Sequence, residues 1–332
     1  MNRTVRIGTR QSVLAMAQSR WAAGEIERLN PGVKAELIPI LSKGDRFLGK
    51  LDSVGGKGVF TSELEEMLLS GEIDFAVHSM KDMPAEIPDG LTIAALSPRE
   101  DPRDRLLIRR DLQNGLALKD GLEALQSLPE GAVVGTSSAR REVQLLRLRP
   151  DLQIKLLRGN VLTRIEKLKK AEYDAILLAA AGLNRLGMPE EGAPLETESV
   201  IPAAGQGIIG IEARRGAPEN ELLRGIDSAD SLLCLAAERA FVAGMDGGCT
   251  APIAAFAERS GEACRLSCCF LDEGSGRFFR RSGFAPPEGL EALARSFAQE
   301  IRRAVAQPPD VSCQRHTALE TEGTACRKAW SP

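Results

Sequence analysis

The stretch IPAAGQGIIGIEARR, Ile201–Arg215, decides how this chain is folded. Two readings compete for it. Gly205–Gly210, GQGIIG, has the spacing G-x-G-x-x-G, which in a dinucleotide-binding unit lies between a strand and a helix. Here the glycines come before an apolar, strand-like run, so the fingerprint fails. The stretch reads instead as a glycine turn entering a strand. That strand follows a complete second α/β pattern and returns to the sheet begun near the N-terminus.

Working outward from it, short apolar runs alternate with amphipathic stretches. TVRIGT, KAELIPIL and IDFAVHS predict strands; SVLAMAQSRWAAGEIERL and TSELEEMLLSG predict helices. The second helix carries a capping box, Ser62 to Glu65, and a glycine stop at Gly71. This order implies a mostly parallel sheet with helices on both faces. From about Asp104 the pattern restarts: GAVVGT, IKLL and YDAILLAA predict strands, each followed by a helix. REDPRD and MPEEGAPLETES are expected to be the two crossings between the sheets. Beyond the returning strand, SLLCLAAERAFVAGM and GLEALARSFAQEIRRAVA predict helices around PIAAFAER, ACRLSCCFL and GRFFRRSG, a small α+β domain. The last 25 or so residues lack periodicity and are expected to be a disordered tail.

Composition narrows the function. The 332 residues carry a net charge of −3, so no basic footprint points to nucleic acid. One tyrosine and two tryptophans offer little for base stacking. The N-terminal MNRTVRIGTRQSVLA has no apolar signal core, and the longest apolar run, Ala175–Leu183, is shorter than the roughly 20 residues of a membrane span. Seven cysteines without C-x-x-C spacing and only two histidines predict no zinc site and a reducing cytoplasm. No long apolar or heptad surface is evident, which points to a monomer.

The chemistry gathers at the ends of the predicted strands, where open α/β sheets bind ligands. Arg10 and Ser12 follow the first strand, and Lys81 and Asp82 follow IDFAVHS. Thr136, Ser137, Ser138, Arg140 and Arg141 follow GAVVG. Arg158 and Arg164 come after IKLL, and Arg185 after YDAILLAAAG. Residues 136–185 hold eleven Lys/Arg against five Asp/Glu, in a chain that is acidic as a whole. GTSSARR also opens a helix, whose free N–H groups and dipole favour an anion. Arginine binds carboxylates and phosphates bidentately, so a ligand with several anionic groups is implied. For any single arginine the plain alternative is a solvated or acid-paired helix residue. VGGKGVFTS has Gly58 where a phosphate loop needs Ser or Thr after Lys57; it reads as a glycine-rich loop bringing Lys57 and Phe60 over a site. His78 reads as structural. Asp82 stands out as a carboxylate in a cationic cleft, its alternative being a turn-closing aspartate before Met83-Pro84. Cys249 sits on a glycine turn, MDGGCTAPIAA, unlike a core thiol.

Taken together these residues resemble the porphobilinogen deaminase (hydroxymethylbilane synthase) family. RIGTRQSVLA, VGGKGVF, DFAVHSMKD, EDPRD, VGTSSARR, RPDL, LRGNVLTR, YDAILLAAAGLNRLG, IPAAGQG and GGCTAPIAA occur in the family's order, over nearly the whole chain. The resemblance implies an α/β fold of two periplasmic-binding-protein-like (type II) domains with mostly parallel sheets, plus a small α+β C-terminal domain. The expected boundaries are 1–102 with 203–226, then 103–202, then 227–307, leaving 308–332 as the tail.

It also implies a transferase of tetrapyrrole and haem biosynthesis. Porphobilinogen would lose ammonia to an electrophilic azafulvene, and the α-carbon of a terminal pyrrole would attack it. Four rounds would extend a dipyrromethane cofactor, held by a thioether to Cys249, to a hexapyrrole, and hydrolysis would release hydroxymethylbilane. By position Asp82 matches the catalytic carboxylate. Lys81, Thr136, Ser137, Ser138, Arg140, Arg141, Arg158, Arg185 and Gln206 match cofactor-binding positions. Arg10, Ser12, Arg158, Arg164 and Arg185 match substrate-binding ones. Val13 and Ala139 stand where the family often has proline and leucine, and neither change removes a functional group. The implied partner is small-molecule porphobilinogen, with no nucleic acid, membrane or metal. The competing class is a non-catalytic two-lobed binder of a small anion, which would need neither Asp82 nor a displayed Cys249.

Overall fold

The structure is a computed structural model and describes residues 3–40, 62–84, 86–113, 119–246 and 251–307. In the first sheet, β1 (Arg3–Arg10) runs parallel to β2 (Val33–Ile40) and to β3 (Phe75–Ser79). Helix α1 (Val13–Leu29) joins the first two strands, and α2 (Ser62–Ser70) precedes the third. Phe75, Ala76, Val77 and His78 are all buried, as in a strand covered on both faces. Phe75 and Val77 pack with Ala22 and Ile26 of α1, whereas Ala76 packs with Leu64 and Leu68 of α2.

The sheet does not continue with the next strand in sequence. Between β3 and β4 (Leu91–Leu96) lies a strand from far along the chain, Ile209–Arg214, antiparallel to both. The stretch Ile201–Arg215 therefore does return to the first sheet.

The second sheet repeats the plan. β5 (Asp104–Ile108) enters it from the first and runs antiparallel to β8 (Ala175–Ala179) and β9 (Ala193–Leu195). β6 (Val133–Gly135), β7 (Gln153–Lys155) and β8 are parallel, giving the order β7-β6-β8-β5-β9. With the returning strand numbered β10, the first sheet has the order β2-β1-β3-β10-β4. Helices α3 (Gly121–Gln126), α4 (Ala139–Leu148), α5 (Val161–Lys169) and α6 (Ala180–Arg185) belong to this half. Parallel strands with one strand inserted against them, in both halves, form the type II periplasmic-binding-protein-like architecture.

One expected crossing is corrected. MPEEGAPLETES contains β9, which pairs with β5, so the chain returns through residues 196–208 instead. Proline, glycine and acids signal a loop locally, but three residues at a sheet edge take their conformation from the neighbouring strand. The two crossings lie side by side: the Glu100 N–H donates to the Gly207 carbonyl at 3.1 Å, and the Ser97 N–H to the Ile209 carbonyl at 2.9 Å. Gly207 has φ +91°, and a Cβ there would come within 2.3 Å of the Glu100 oxygen, so only glycine lets the strands meet.

The third unit is an antiparallel sheet of β11 (Ile253–Ser260), β12 (Ala263–Asp272) and β13 (Arg277–Ala285), packed by α7 (Ala229–Gly244) and α8 (Leu290–Ala306). α8 buries Leu290, Ala294, Phe297, Ala298 and Ile301, one stripe at helical spacing, against Phe241 and the sheet. Glu238 of α7 anchors this unit to both crossings. Its buried carboxylate accepts from Arg99 Nη2 at 2.7 Å, from the Gly205 N–H at 2.7 Å and from the Ala257 N–H at 2.8 Å.

Candidate active site

The carboxyl ends of the parallel strands in both sheets face one cavity. From the first sheet it receives Arg10, the last residue of β1, Ser12, and Lys81 and Asp82 just beyond β3. From the second it receives Arg141 on α4, Arg164 on α5 and Arg185 at the end of α6. Gln206 comes from the returning crossing. These residues, scattered over nearly two hundred positions, are brought together because a parallel strand delivers its following residues to one edge of the sheet.

Asp82 closes a turn through its backbone, donating its N–H to the Ser79 carbonyl at 3.0 Å. Its carboxylate is exposed and makes no hydrogen bond to the described residues, with Lys81 and Arg164 as its charged neighbours. Burial pulls the Lys81 ammonium below its ordinary range; Asp82 opposes this and Arg141 adds to it. Burial likewise lowers Arg164 and Arg185, with Arg141 adding to the first and Glu100 opposing the second. Half-buried cations of this kind gain from an incoming anion. Arg164 is steadied by its Nε–H to the Gly159 carbonyl at 2.7 Å, and Arg185 by Nη2–H to the Gly207 carbonyl at 2.6 Å. Ser12 caps α1, its Oγ accepting from the Ala15 N–H at 3.2 Å, and its own hydroxyl proton has no acceptor among the described residues.

The second-sheet wall is organised around Asp104, which is not among the residues expected at the site. Asp104, the first residue of β5, is completely buried. One carboxylate oxygen accepts from Arg140 Nη2 at 2.7 Å and Arg141 Nε at 3.1 Å; the other accepts from Arg141 Nη2 and Gln206 Nε2, each at 2.8 Å. Burial alone would raise its carboxyl, but Arg140 and Arg141 outweigh it and hold the group well below the usual carboxylate range. The only hint in the sequence was an acid heading the apolar run DRLLI.

Several expected residues lie elsewhere. Arg140 is buried behind the wall, its guanidinium committed to Asp104 and to the Ile201 carbonyl at 2.6 Å, and it does not line the cavity. Thr136, Ser137, Ser138 and Arg158 are also outside the lining. Thr136 Oγ1 accepts from the Ser138 N–H at 3.1 Å, shaping the entry to α4, and among the described residues no side chain caps that helix. His78 does line the cavity, tied through Nε2 to Glu212 at 3.0 Å. Lys57, Phe60 and Cys249 lie outside the described residues.

Comparison with known proteins decides the family. The family model described as porphobilinogen deaminase, dipyromethane cofactor binding domain, matches residues 5–221, and that of the porphobilinogen deaminase C-terminal domain matches residues 232–303. The chain belongs to the porphobilinogen deaminase family. A porphobilinogen deaminase of Bacillus velezensis is 46% identical over 261 residues, 77% of this chain and 79% of that protein. One from Syntrophotalea carbinolica is 42% identical over 300 residues, 90% of this chain and 92% of the other. The Bacillus pumilus protein is 47% identical over 259 residues, covering 77% and 80%. The activity is that of a hydroxymethylbilane synthase: porphobilinogen molecules are condensed head to tail with loss of ammonia, on a dipyrromethane cofactor. Among the described residues, no helix is long and apolar enough to cross a membrane.

Proposed function

We propose that the cavity between the two α/β sheets is where porphobilinogen condenses and that Asp82 is the catalytic carboxylate. One observation carries this reading. A single exposed carboxylate without a hydrogen-bonding partner among the described residues stands among Arg10, Lys81, Arg141, Arg164 and Arg185. Every pyrrole of the substrate carries an acetate and a propionate, which suits that cationic rim. The Asp82 carboxylate suits the pyrrole N–H.

The residues also fit the cofactor. Gln206 Oε1 is buried in the lining without a hydrogen-bond partner among the described residues, an acceptor that a pyrrole N–H would satisfy. Lys81, Arg141, Arg185 and Gln206 would hold a dipyrromethane, and Cys249 would carry it. When bound, the group supplies a nucleophilic pyrrole α-carbon. The four described cysteines, Cys234, Cys264, Cys268 and Cys269, are all buried, and burial pushes Cys234 and Cys269 up to about 12 and Cys268 well above its ordinary value. Thiols held protonated make poor nucleophiles, which counts against those three; of the cysteines outside the described residues, Cys249 is the one within the family's GGCTAPIAA motif.

In the reaction, Arg10, Arg164 and Arg185 bind the carboxylates of porphobilinogen and fix the ring over Asp82. As ammonia leaves, positive charge spreads across the pyrrole to its N–H. The Asp82 carboxylate stabilises that charge more than the neutral ring, and so lowers the barrier without tightening ground-state binding. It is also placed to accept the proton lost on carbon–carbon bond formation. The reading includes the division into 1–102 with 203–226, 103–202 and 227–307, a monomer, no nucleic-acid partner and a cytoplasmic location.

The test is intact mass with peptide mapping. The purified protein should be heavier than its sequence by two linked porphobilinogen-derived units, all on Cys249, and Cys249→Ser should be unmodified and inactive. An adduct on one of the four buried cysteines would overturn the assignment.

A further inference from the structure

We propose that Asp104 is a positioning residue for the cofactor: its buried carboxylate sets both the donor face of Arg141 and the acceptor face of Gln206 toward the cavity. This deepens, and rests on, the reading that the cavity holds pyrroles and their carboxylates.

The geometry leaves each neighbour little freedom. Arg141 has five N–H donors. Nε and one hydrogen of Nη2 go to Asp104, and one hydrogen of Nη1 goes to the Leu177 carbonyl at 3.1 Å. One N–H on each terminal nitrogen is left over by the described residues, on a side chain that lines the cavity. Two parallel N–H groups are what a carboxylate takes from arginine.

Gln206 is set by one oxygen of the same carboxylate and by a main-chain carbonyl. Its Nε2 donates to Asp104 Oδ1 at 2.8 Å and to the Pro102 carbonyl at 2.7 Å. Two acceptors fix which end of the amide is nitrogen, so Oε1 is the end left without a partner among the described residues. An ionised carboxylate can only accept, and this enforces the polarity. A carboxamide at position 104 would offer a donor as well, and the Gln206 amide would then be free to turn over.

Arg140 completes the arrangement from outside the cavity. It shares Asp104 Oδ2 with Arg141, so one negative charge stands between two guanidiniums that would otherwise repel. The main-chain carbonyl of Gln206 accepts from Arg99 Nη1 at 2.9 Å, and Arg99 pairs with Glu238 of the third unit. The wall is thereby tied to the crossings and to the unit that contains position 249.

The experiment compares Asp104→Asn and Arg141→Leu with the parent, by the fraction of purified protein carrying the cofactor mass and by KM and kcat of the loaded fraction. Asp104→Asn should lower the loaded fraction roughly tenfold. In the remainder KM for porphobilinogen should rise roughly tenfold with kcat within about threefold, the signature of lost positioning and not of lost chemistry. A fully loaded Asp104→Asn with unchanged KM beside a depleted Arg141→Leu would overturn this inference alone. A fully loaded Arg141→Leu would overturn the cavity reading and the inference with it. If Asp104→Asn does not fold, Arg140→Lys carries the test. It keeps a charge beside Asp104 but loses the planar fork, and its loading should fall by roughly threefold or more. Full loading and an unchanged KM in that variant would overturn the inference.

Discussion

Asp82 and Asp104 are the same residue on opposite walls of one cleft, and their surroundings suit them to opposite work in the proposed reaction. Asp82 is exposed, at the end of β3, with its carboxylate unbonded among the described residues. Asp104 is completely buried and accepts four hydrogen bonds, three of them from arginine. A carboxylate already saturated by fixed donors has no capacity left for a substrate N–H or a proton. One with free lone pairs beside Lys81 and Arg164 has both. The lesson is that saturation, more than charge, separates the aspartate proposed to act from the aspartate proposed to arrange.

The comparison breaks most severely at Asp82. Asp82→Asn keeps the shape but loses the charge, and removing such a group typically costs about 10²–10³ in rate. A residue serving several condensations should show at least that. Asp82→Glu, which displaces the charge by one methylene, should retain a small residual rate. Steady-state formation of hydroxymethylbilane measures both, and neither variant should change the melting temperature much, because the side chain holds nothing together.

At Asp104 the effect moves from rate to stability. Asp104→Asn leaves two buried guanidiniums without their counter-ion, a loss of about 3–5 kcal/mol in comparable buried pairs. Urea unfolding should show it, and a midpoint equal to the parent's would mean that the pairing contributes little. Gly207→Ala sharpens the same contrast at the crossing behind both walls. A non-glycine residue at φ +91° costs of order 1–3 kcal/mol before its clash with the Glu100 carbonyl is counted, so thermal unfolding should shift down while Asp82 chemistry persists in the folded fraction.

The smallest effect is a pH dependence. Asp104 is held below its ordinary carboxyl range, so its stabilisation is complete above the unfolded value of about 3.9 and is lost as pH falls through the folded value. The stability difference between the parent and Asp104→Asn should therefore be flat from pH 8 to about pH 5 and begin to shrink below about pH 4. A difference still undiminished well below that range would show that the ionised carboxyl is not what the parent gains.

Much of this was legible in the sequence. Arg10, Lys81, Asp82, Arg164 and Arg185 each follow a run that reads plainly as a strand, and parallel strands send such residues to one edge. The return of Ile201–Arg215 was legible because its glycines precede an apolar run. β5 and β9 were not, since each is short and set in charged, proline-rich sequence, and its conformation comes from the strand beside it. Asp104 was hidden for the same reason. Its donors lie 36, 37 and 102 residues away, and no local pattern shows a charge whose burial depends on partners so distant. Arg140 and Arg141 are neighbours in sequence, yet only the packing shows that one faces the cavity and the other lies behind it.

The most direct measurement is turnover per cofactor-loaded molecule, at saturating porphobilinogen, for Asp82→Asn and Asp104→Asn side by side. Loading is counted by intact mass in the same samples. The account predicts that Asp82→Asn is fully loaded and slower by about 10² or more, whereas Asp104→Asn is poorly loaded but turns over within about threefold of the parent in the molecules that carry the cofactor. A loaded Asp82→Asn that kept more than about a tenth of the parent's turnover would contradict it, because a group that stabilises the cationic transition state is worth far more than that.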